Sequence, residues 1–323
     1  MLATAVAVLA ASLSASSGPV ITTEPIARET FERPGLLAVL PDGRRLNFRC
    51  MGRGSPTVIL ESGFAADASA WSRVQPRIAA VTRVCAYDRA GSGFSDPGPL
   101  PRDGAAIARD LDYGLKAARI AGPYVLVGHS AGGLYARLFA ARRREQVVGL
   151  VFVDSSVEHQ MQRMQALFGP QAGGMEGLAR RSRMCLKATS GPTTAADDAV
   201  RLECAPLGSD AHARRVALRP DTYRAQLSEL DTLFTATSDE VDRTGTLLQD
   251  VPAIVLTAAK ADGEPATADD PGAAAWQNFH LMLAERFRRG RHRLVKSSHL
   301  MMLDRPEVVA GAALELVQAA RRR

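Results

Sequence analysis

Tyr124-Val125-Leu126-Val127-Gly128-His129-Ser130-Ala131-Gly132-Gly133-Leu134-Tyr135-Ala136-Arg137-Leu138-Phe139-Ala140 is the stretch that decides the architecture of this chain. Its first four residues are continuously apolar, as expected of a strand buried on both faces. Its last eight suit a helix. Between them, Gly-x-Ser-x-Gly requires a sharp turn, with residues lacking side chains two positions to either side of Ser130 so that the backbone can bend. A serine at such a turn is held in a strained conformation, its hydroxyl pushed clear of the sheet. The N–H of Ala131, at the start of the helix, is then placed to stabilise an oxyanion. The pentapeptide alone also fits a glycine-rich turn that merely packs. The apolar strand before it and the amphipathic helix after it favour a nucleophilic serine.

Outward from this junction, apolar strands alternate with helices. Two strands over 37–40 and 45–50 flank a Pro41-Asp42-Gly43 turn and read as a hairpin. Strands follow over 57–60 and 83–87, with a helical piece over 71–80 between them. Asp103 can cap a helix that aligns Ile107, Leu111, Leu115 and Ala118 on one face. A further strand spans 147–153. Such alternation predicts an α/β fold with a parallel sheet covered on both faces. Between Ser155 and Asp250 the rhythm stops. That segment carries helical stretches and four of the nine methionines (Met161, Met164, Met175, Met184), and reads as an insertion folded over the sheet. The alternation resumes with a strand over 252–257, a helix over 276–287, a strand over 293–295 and a last helix over 306–320. The expected organisation is therefore a core over 33–154 and 251–323 with an insertion over 155–250.

With 323 residues, the chain is long enough for one large α/β domain carrying an insertion, or for two domains. The formal charge of +6 is concentrated around 142–144, 180–183, 286–293 and 321–323, without interleaved aromatics. That pattern describes a solvated face better than a nucleic-acid site, and no nucleic-acid partner is expected. Residues 1–11 are almost wholly apolar and 12–18 mostly small and polar, like the core and cleavage region of a secretory signal, although no Lys or Arg precedes them. Residues 1–18 are thus expected to be a signal peptide or anchor, and the protein exported or N-terminally anchored; a cytoplasmic location is the alternative. The apolar run is too short for a secure membrane span and no other stretch is long enough, so firm membrane association is not expected. Cys185 and Cys204 lie close enough in sequence for a disulfide to close a useful loop. With no C-x-x-C spacing and no His-Glu-x-x-His, neither a metal nor a cofactor is expected.

A serine hydroxyl needs a base, a group that orients the base, and donors for the developing oxyanion. Among six histidines, His299 has the right context, in Ser297-Ser298-His299-Leu300-Met301-Met302-Leu303-Asp304-Arg305-Pro306. It follows the last strand and precedes the last helix. His129 adjoins the serine but points differently, so packing suits it better. His159, His212, His280 and His292 have no comparable setting.

The serine turn, the stretch Tyr87-Asp88-Arg89-Ala90-Gly91-Ser92-Gly93-Phe94-Ser95 and the ending Ser298-His299…Asp304-Arg305-Pro306-Glu307 together resemble the α/β-hydrolase fold superfamily. The likeness runs from about Arg33 to the C-terminus and is least typical over 155–250. It implies a mostly parallel central sheet flanked by helices, with an inserted helical cap. It also implies a second oxyanion amide in Glu61-Ser62-Gly63-Phe64, assigned to Phe64, although the superfamily's histidine before that glycine is absent. For the acid, two positions remain open. Asp262, in the loop after Thr257, shares a polar, solvated loop with Glu264, Asp269 and Asp270. Asp154 ends a buried strand and is followed by Ser155-Ser156, and Leu150-Val151-Phe152-Val153-Asp154-Ser155-Ser156 resembles a bacterial subgroup with the same Leu60-Glu61-Ser62-Gly63 opening. Asp154 is favoured and Asp262 kept as the alternative; either carboxylate also fits a helix cap. In this fold the second and fourth strands are neighbours, so Cys50 and Cys85 would meet, as a disulfide or as two thiols. The activity implied is hydrolysis of a small-molecule carboxylic ester through an acyl-enzyme. Amide, lactone or carbon–carbon bond hydrolysis needs the same residues, and a non-catalytic binding protein is the reading from another class. A serine at the turn argues against dehalogenase and epoxide-hydrolase chemistry, which uses an aspartate there. The insertion would form the lid and acyl pocket, its methionines lining the pocket or equally packing as lid core.

Overall fold

The computed structural model describes residues 24–191, 195–204, 211–259 and 270–322. The N-terminal apolar segment and Asp262 lie outside those residues. Eight strands form one sheet: β1 (Leu36–Val39), β2 (Arg45–Met51), β3 (Thr57–Glu61), β4 (Val84–Tyr87), β5 (Tyr124–His129), β6 (Val147–Val153), β7 (Ala253–Ala259) and β8 (Gly290–Lys296). Their order is β1-β2-β4-β3-β5-β6-β7-β8. The β1–β2 and β2–β4 pairs are antiparallel and all others parallel.

Every residue of β3, β4 and β5 is buried, because helices cover both faces of the sheet. Along β5 the side chains alternate between two cores. Tyr124 and Leu126 join Ile107, Leu111, Leu134 and Phe139 from the helices Gly104–Ala117 and Gly132–Arg142. Val125 and Val127 join Ile78, Val309 and Leu316 from the helices Gln75–Ala79 and Pro306–Arg321. Because β3 and β5–β8 run in parallel, the loops that follow them open on one edge of the sheet. Functional loops of open parallel sheets gather at that edge.

Between β6 and β7 lies the inserted helical region. Its described helices are Gln160–Phe168, Glu176–Thr189, Ala195–Cys204, Ala211–Ala217, Pro220–Leu233 and Ala236–Asp242. Two disulfides are present: Cys50–Cys85, a directly opposed pair of β2 and β4, and Cys185–Cys204, joining two helices of the inserted region.

The structure departs from expectation in detail. The helix expected over 71–80 is a 3-10 turn, Ala68–Trp71, followed by the short helix Gln75–Ala79. The helix expected from 276 begins earlier, at Pro271, because the Asp270 side chain accepts from Ala273 N–H and caps it. Met161, Met164 and Met175 pack against the main core and Met184 against Cys185, Cys204 and Tyr223. Some of the arginine clusters hold elements together: Arg142 and Arg143 both bind Asp112, and Arg286 binds Glu158.

Candidate active site

Ser130 sits between β5 and the helix Gly132–Arg142 with φ 51°, a left-handed conformation that costs a non-glycine residue on the order of 1–3 kcal/mol. Hydrogen bonds hold it there. The Ser130 carbonyl accepts from Gly133 N–H (3.0 Å) and Ser156 N–H (2.9 Å), and Ser130 N–H donates to Val153 O (3.2 Å). The flanking glycines serve close approach. A Cβ on Gly128 would lie 2.6 Å from Gly132 O, and one on Gly132 would lie 2.5 Å from Glu61 O. The loop after β3 presses on the serine as well: a Cβ on Gly63 would stand 3.1 Å from Ser130 Cβ and 2.7 Å from His129 Nδ1. In that loop, and at the start of the helix, the amides of Phe64 and Ala131 donate to no other described residue.

His299 lies after β8, just ahead of the short helix Met301–Asp304. Its Nδ1 is 2.7 Å from Asp154 Oδ2. Asp154 follows β6 directly and has φ 41°, the same strained region as Ser130. The carboxylate is buried, and its other oxygen accepts from Trp276 Nε1 (2.8 Å) and Ala258 N–H (2.9 Å). Burial raises its pKa, but the hydrogen bond from His299, nearby His280, and the Trp276 and Ala258 donors outweigh that and bring it below the ordinary value. Since Nδ1 of His299 meets an ionised carboxylate, Nδ1 carries a proton and Nε2 is the free acceptor. The loop itself is folded back by Asp304, whose carboxylate accepts from Ser298 N–H (2.9 Å) and Ser298 Oγ (2.5 Å).

His129 fastens this loop to the serine turn. Its Nε2 lies 2.9 Å from the His299 carbonyl, so it must be the protonated nitrogen, and the two rings are 4.6 Å apart. That leaves Nδ1 as a buried acceptor with no partner. Burial, and next the neighbouring His299, lower its pKa to about 4, so it stays neutral near pH 7.

Behind Asp154 runs a chain of hydrogen bonds through His280, Thr257 and His292. His280 Nε2 faces the Ser155 carbonyl at 2.7 Å and must donate to it. In a neutral ring Nδ1 then accepts, and its partner at 2.6 Å is Thr257 Oγ1. Thr257 thereby spends its proton on His280 and accepts from His292 Nε2 at 2.8 Å. Burial lowers the His280 pKa to about 4, in keeping with a neutral ring. The carboxylate is backed by a neutral, ordered wall.

Beneath the loop after β3 lies a buried ionic cluster. Arg89 binds Glu61 Oε1 (2.9 Å) and, through Nε and Nη2, both oxygens of Glu229 (3.2 and 3.1 Å). The other Glu61 oxygen accepts from Tyr87 Oη. Burial pushes the Glu61 carboxyl up to about 7, against the pull of Arg89. Asp88 accepts from Ala68 N–H, Phe94 N–H and Asn47 Nδ2, tying the connections after β3 and β4 to strand β2.

Ser130, His299, Asp154, Phe64 and Ala131 thus gather at one edge of the sheet. Sequence reasoning gave no role to Trp276, His280, Arg89 or Glu229. One signal was available: His280 lies on a helix face with Phe279, Leu283 and Ala284, and a polar residue on a buried stripe demands a buried partner. A cavity of about 330 Å³ opens between Phe64, Ala65 and Asp67 and the inserted helices, at Ser182, Tyr223 and Gln226. A larger hollow of about 590 Å³ surrounds Tyr124 and Phe139, the former at the opposite end of β5 from Ser130. Among the described residues no group of His, Cys, Asp or Glu is arranged to hold a metal ion, and no helix is long and apolar enough to cross a membrane.

Comparison with known proteins shows the family and the fold. The sequence matches the Alpha/beta hydrolase family over residues 58–313. An uncharacterized protein of Schizosaccharomyces pombe is 44% identical over 82 residues, which are 25% of this chain and 15% of that one. The chain spans less than half the length of the curated relatives it matches. Solved structures that share the fold include an esterase and an enol-lactonase. A thermophilic esterase from Thermogutta terrifontis superposes with TM-score 0.61 at 20% identity, covering 88% of this chain and 98% of that one. An enol-lactonase from Burkholderia xenovorans gives TM-score 0.60 at 20% identity, covering 88% and 100%.

Proposed function

The chain belongs to the alpha/beta hydrolase family, and we propose that it is a serine hydrolase that cleaves carboxylic esters of small molecules through an acyl-enzyme. The observation that carries this reading is the 2.7 Å contact between Asp154 Oδ2 and His299 Nδ1, beside a serine in the left-handed conformation. Ser130 Oγ attacks the ester carbonyl while His299 Nε2 takes its proton. The carbonyl oxygen, now an oxyanion, is held by the Phe64 and Ala131 amides. His299 returns the proton to the leaving alcohol, and a water activated by the same nitrogen then releases the acid. Asp154 holds the tautomer that leaves Nε2 free and stabilises the imidazolium formed in each step. The inserted helical region (155–250) acts as the lid, and the cavity beside Phe64 receives part of the substrate. The two disulfides favour an oxidising compartment, in line with export.

A fluorophosphonate probe tests the reading: the wild type should take label at Ser130 and the Ser130→Ala variant none. A folded wild-type protein that takes no label refutes it. The acid is tested on a short-chain aryl ester. Asp154→Asn should lower kcat by about three to four orders of magnitude, whereas Asp262→Asn stays near wild type. The reverse order would transfer the role to Asp262.

A further inference from the structure

The guanidinium of Arg89 has five N–H donors, and the structure uses all of them. Nε and one Nη2 proton bind Glu229, and one Nη1 proton binds Glu61. The remaining two go to main-chain carbonyls of the loop after β3: Ser62 O at 2.6 Å and Gly63 O at 2.8 Å. The carbonyl of Gly63 belongs to the same peptide unit as the N–H of Phe64. That unit is trans and planar, so its C=O and N–H point in opposite directions. Fixing the carbonyl therefore fixes the direction of the amide. Ala66 N–H is the second donor to this carbonyl, at 3.3 Å, so neither lone pair is left to pull the plane elsewhere.

Resting on the reading of Phe64 as an oxyanion donor, we propose that Arg89 is a positioning residue that aims the Phe64 amide, and that Glu229 of the inserted helical region holds Arg89 in place. Three features support the assignment. Arg89 is fully buried, so water cannot replace its bonds. Glu229 grips it with both oxygens, from the helix Pro220–Leu233. Tyr135, in the helix that follows Ser130, lies 3.4 Å from Glu229 Oε2 through its hydroxyl and offers its ring to the guanidinium. One cation thus joins the loop after β3, the serine helix and the inserted region. The inserted region is thereby built into the transition-state geometry as well as into the pocket wall. Lysine cannot substitute, since an ammonium has three donors and no planar fork.

The test uses the full chain, with folding checked by circular dichroism and the active fraction counted by fluorophosphonate titration. The readouts are kcat and KM for a short-chain aryl ester, and inhibition by a trifluoromethyl ketone, whose serine adduct carries an oxyanion. Arg89→Lys should lower kcat by about 10- to 100-fold per active site, below the roughly 10²- to 10³-fold cost of losing a donor outright. KM should move by no more than about threefold, and ketone affinity should fall in step with kcat. Glu229→Gln, which alters one atom of the side chain, should lower kcat about tenfold in the same pattern. A purely structural role would lower the melting temperature and leave kcat per active site unchanged, and that outcome overturns the proposal. If Arg89→Lys does not fold, Glu229→Gln decides alone, with kcat within twofold of wild type as the refuting result. A wild type that neither turns over ester nor takes label defeats the hydrolase reading together with this proposal. A labelled wild type with unaffected variants defeats this proposal alone.

Discussion

At the scale of single residues, Ser130 and Asp154 share an unusual property: both are non-glycine residues in the left-handed region, at the C-terminal ends of the adjacent strands β5 and β6. Strain of this kind persists only where the surroundings over-determine it. Here they do so by close packing, with Gly132 against Glu61 O and Gly63 against Ser130. Gly132→Ala would push a methyl into the main chain of β3 and its following loop, where no side chain can swing away. It is expected to cost about 1–3 kcal/mol of stability and to lower ester turnover at least tenfold by displacing the Phe64 amide. Urea unfolding and kcat on the same preparation check both; an alanine variant with wild-type values in each would contradict the packing argument.

At the scale of elements, the inserted region depends on Cys185–Cys204. This bridge ties the helices Glu176–Thr189 and Ala195–Cys204 and, with Tyr223, forms the center of a small core separate from those that cover the sheet. A core of this size stabilises little by burial alone. Closing a loop of 19 residues removes about 3 kcal/mol of unfolded-state entropy in the chain-entropy description. A Cys185→Ser/Cys204→Ser double variant should therefore expose the inserted region to proteolysis at protease levels that leave the wild type whole. Ester turnover should fall with it, since Glu229 and one wall of the cavity near Phe64 belong to that region. Limited proteolysis with mass spectrometry reads the outcome, and cleavage elsewhere in the chain would speak against it. Cys50–Cys85 joins strands already paired in the sheet and should matter less to this pattern.

For the whole molecule, the buried titratable groups set a pH dependence with two opposed parts. His129 and His280 have folded pKa values of about 4, below the ordinary 6.5. Between those values the unfolded chain binds more protons, so their stabilising contribution is full above pH 6.5 and is lost as pH falls through about 4. Glu61, at about 7, and Asp88, at about 6, act the other way: theirs is full below the ordinary carboxylate range and lost as pH rises through 6 to 7. The histidine part can be isolated. His280→Gln should be less stable than wild type at pH 7.5, and the gap should narrow by up to about 2–3 kcal/mol at pH 4.5. Urea unfolding at the two pH values measures it, and a gap that widens in acid would show that His280 is charged in the folded protein.

Local constraints made the turn at Ser130 legible. Periodicity identified β5 and the following helix, and two glycines at fixed spacing left a single geometry for the residue between them. The same logic located the other strands, because a strand buried on both faces must be continuously apolar. Asp154 was readable as the end of one such strand, and His299 as the residue between the last strand and the last helix. The polar groups that orient them were not readable. Trp276 meets Asp154 across 122 residues of chain, and Glu229 meets Arg89 across 140. No spacing rule links positions so far apart, since such contacts exist only once the sheet order has brought separate loops to one edge. Secondary structure and the turn that presents Ser130 follow from short-range sterics and hydrophobic pattern, which the amino-acid order carries directly. Which buried carboxylate meets which donor depends on the packed whole, where a desolvated charge must find its partner wherever the fold has put it.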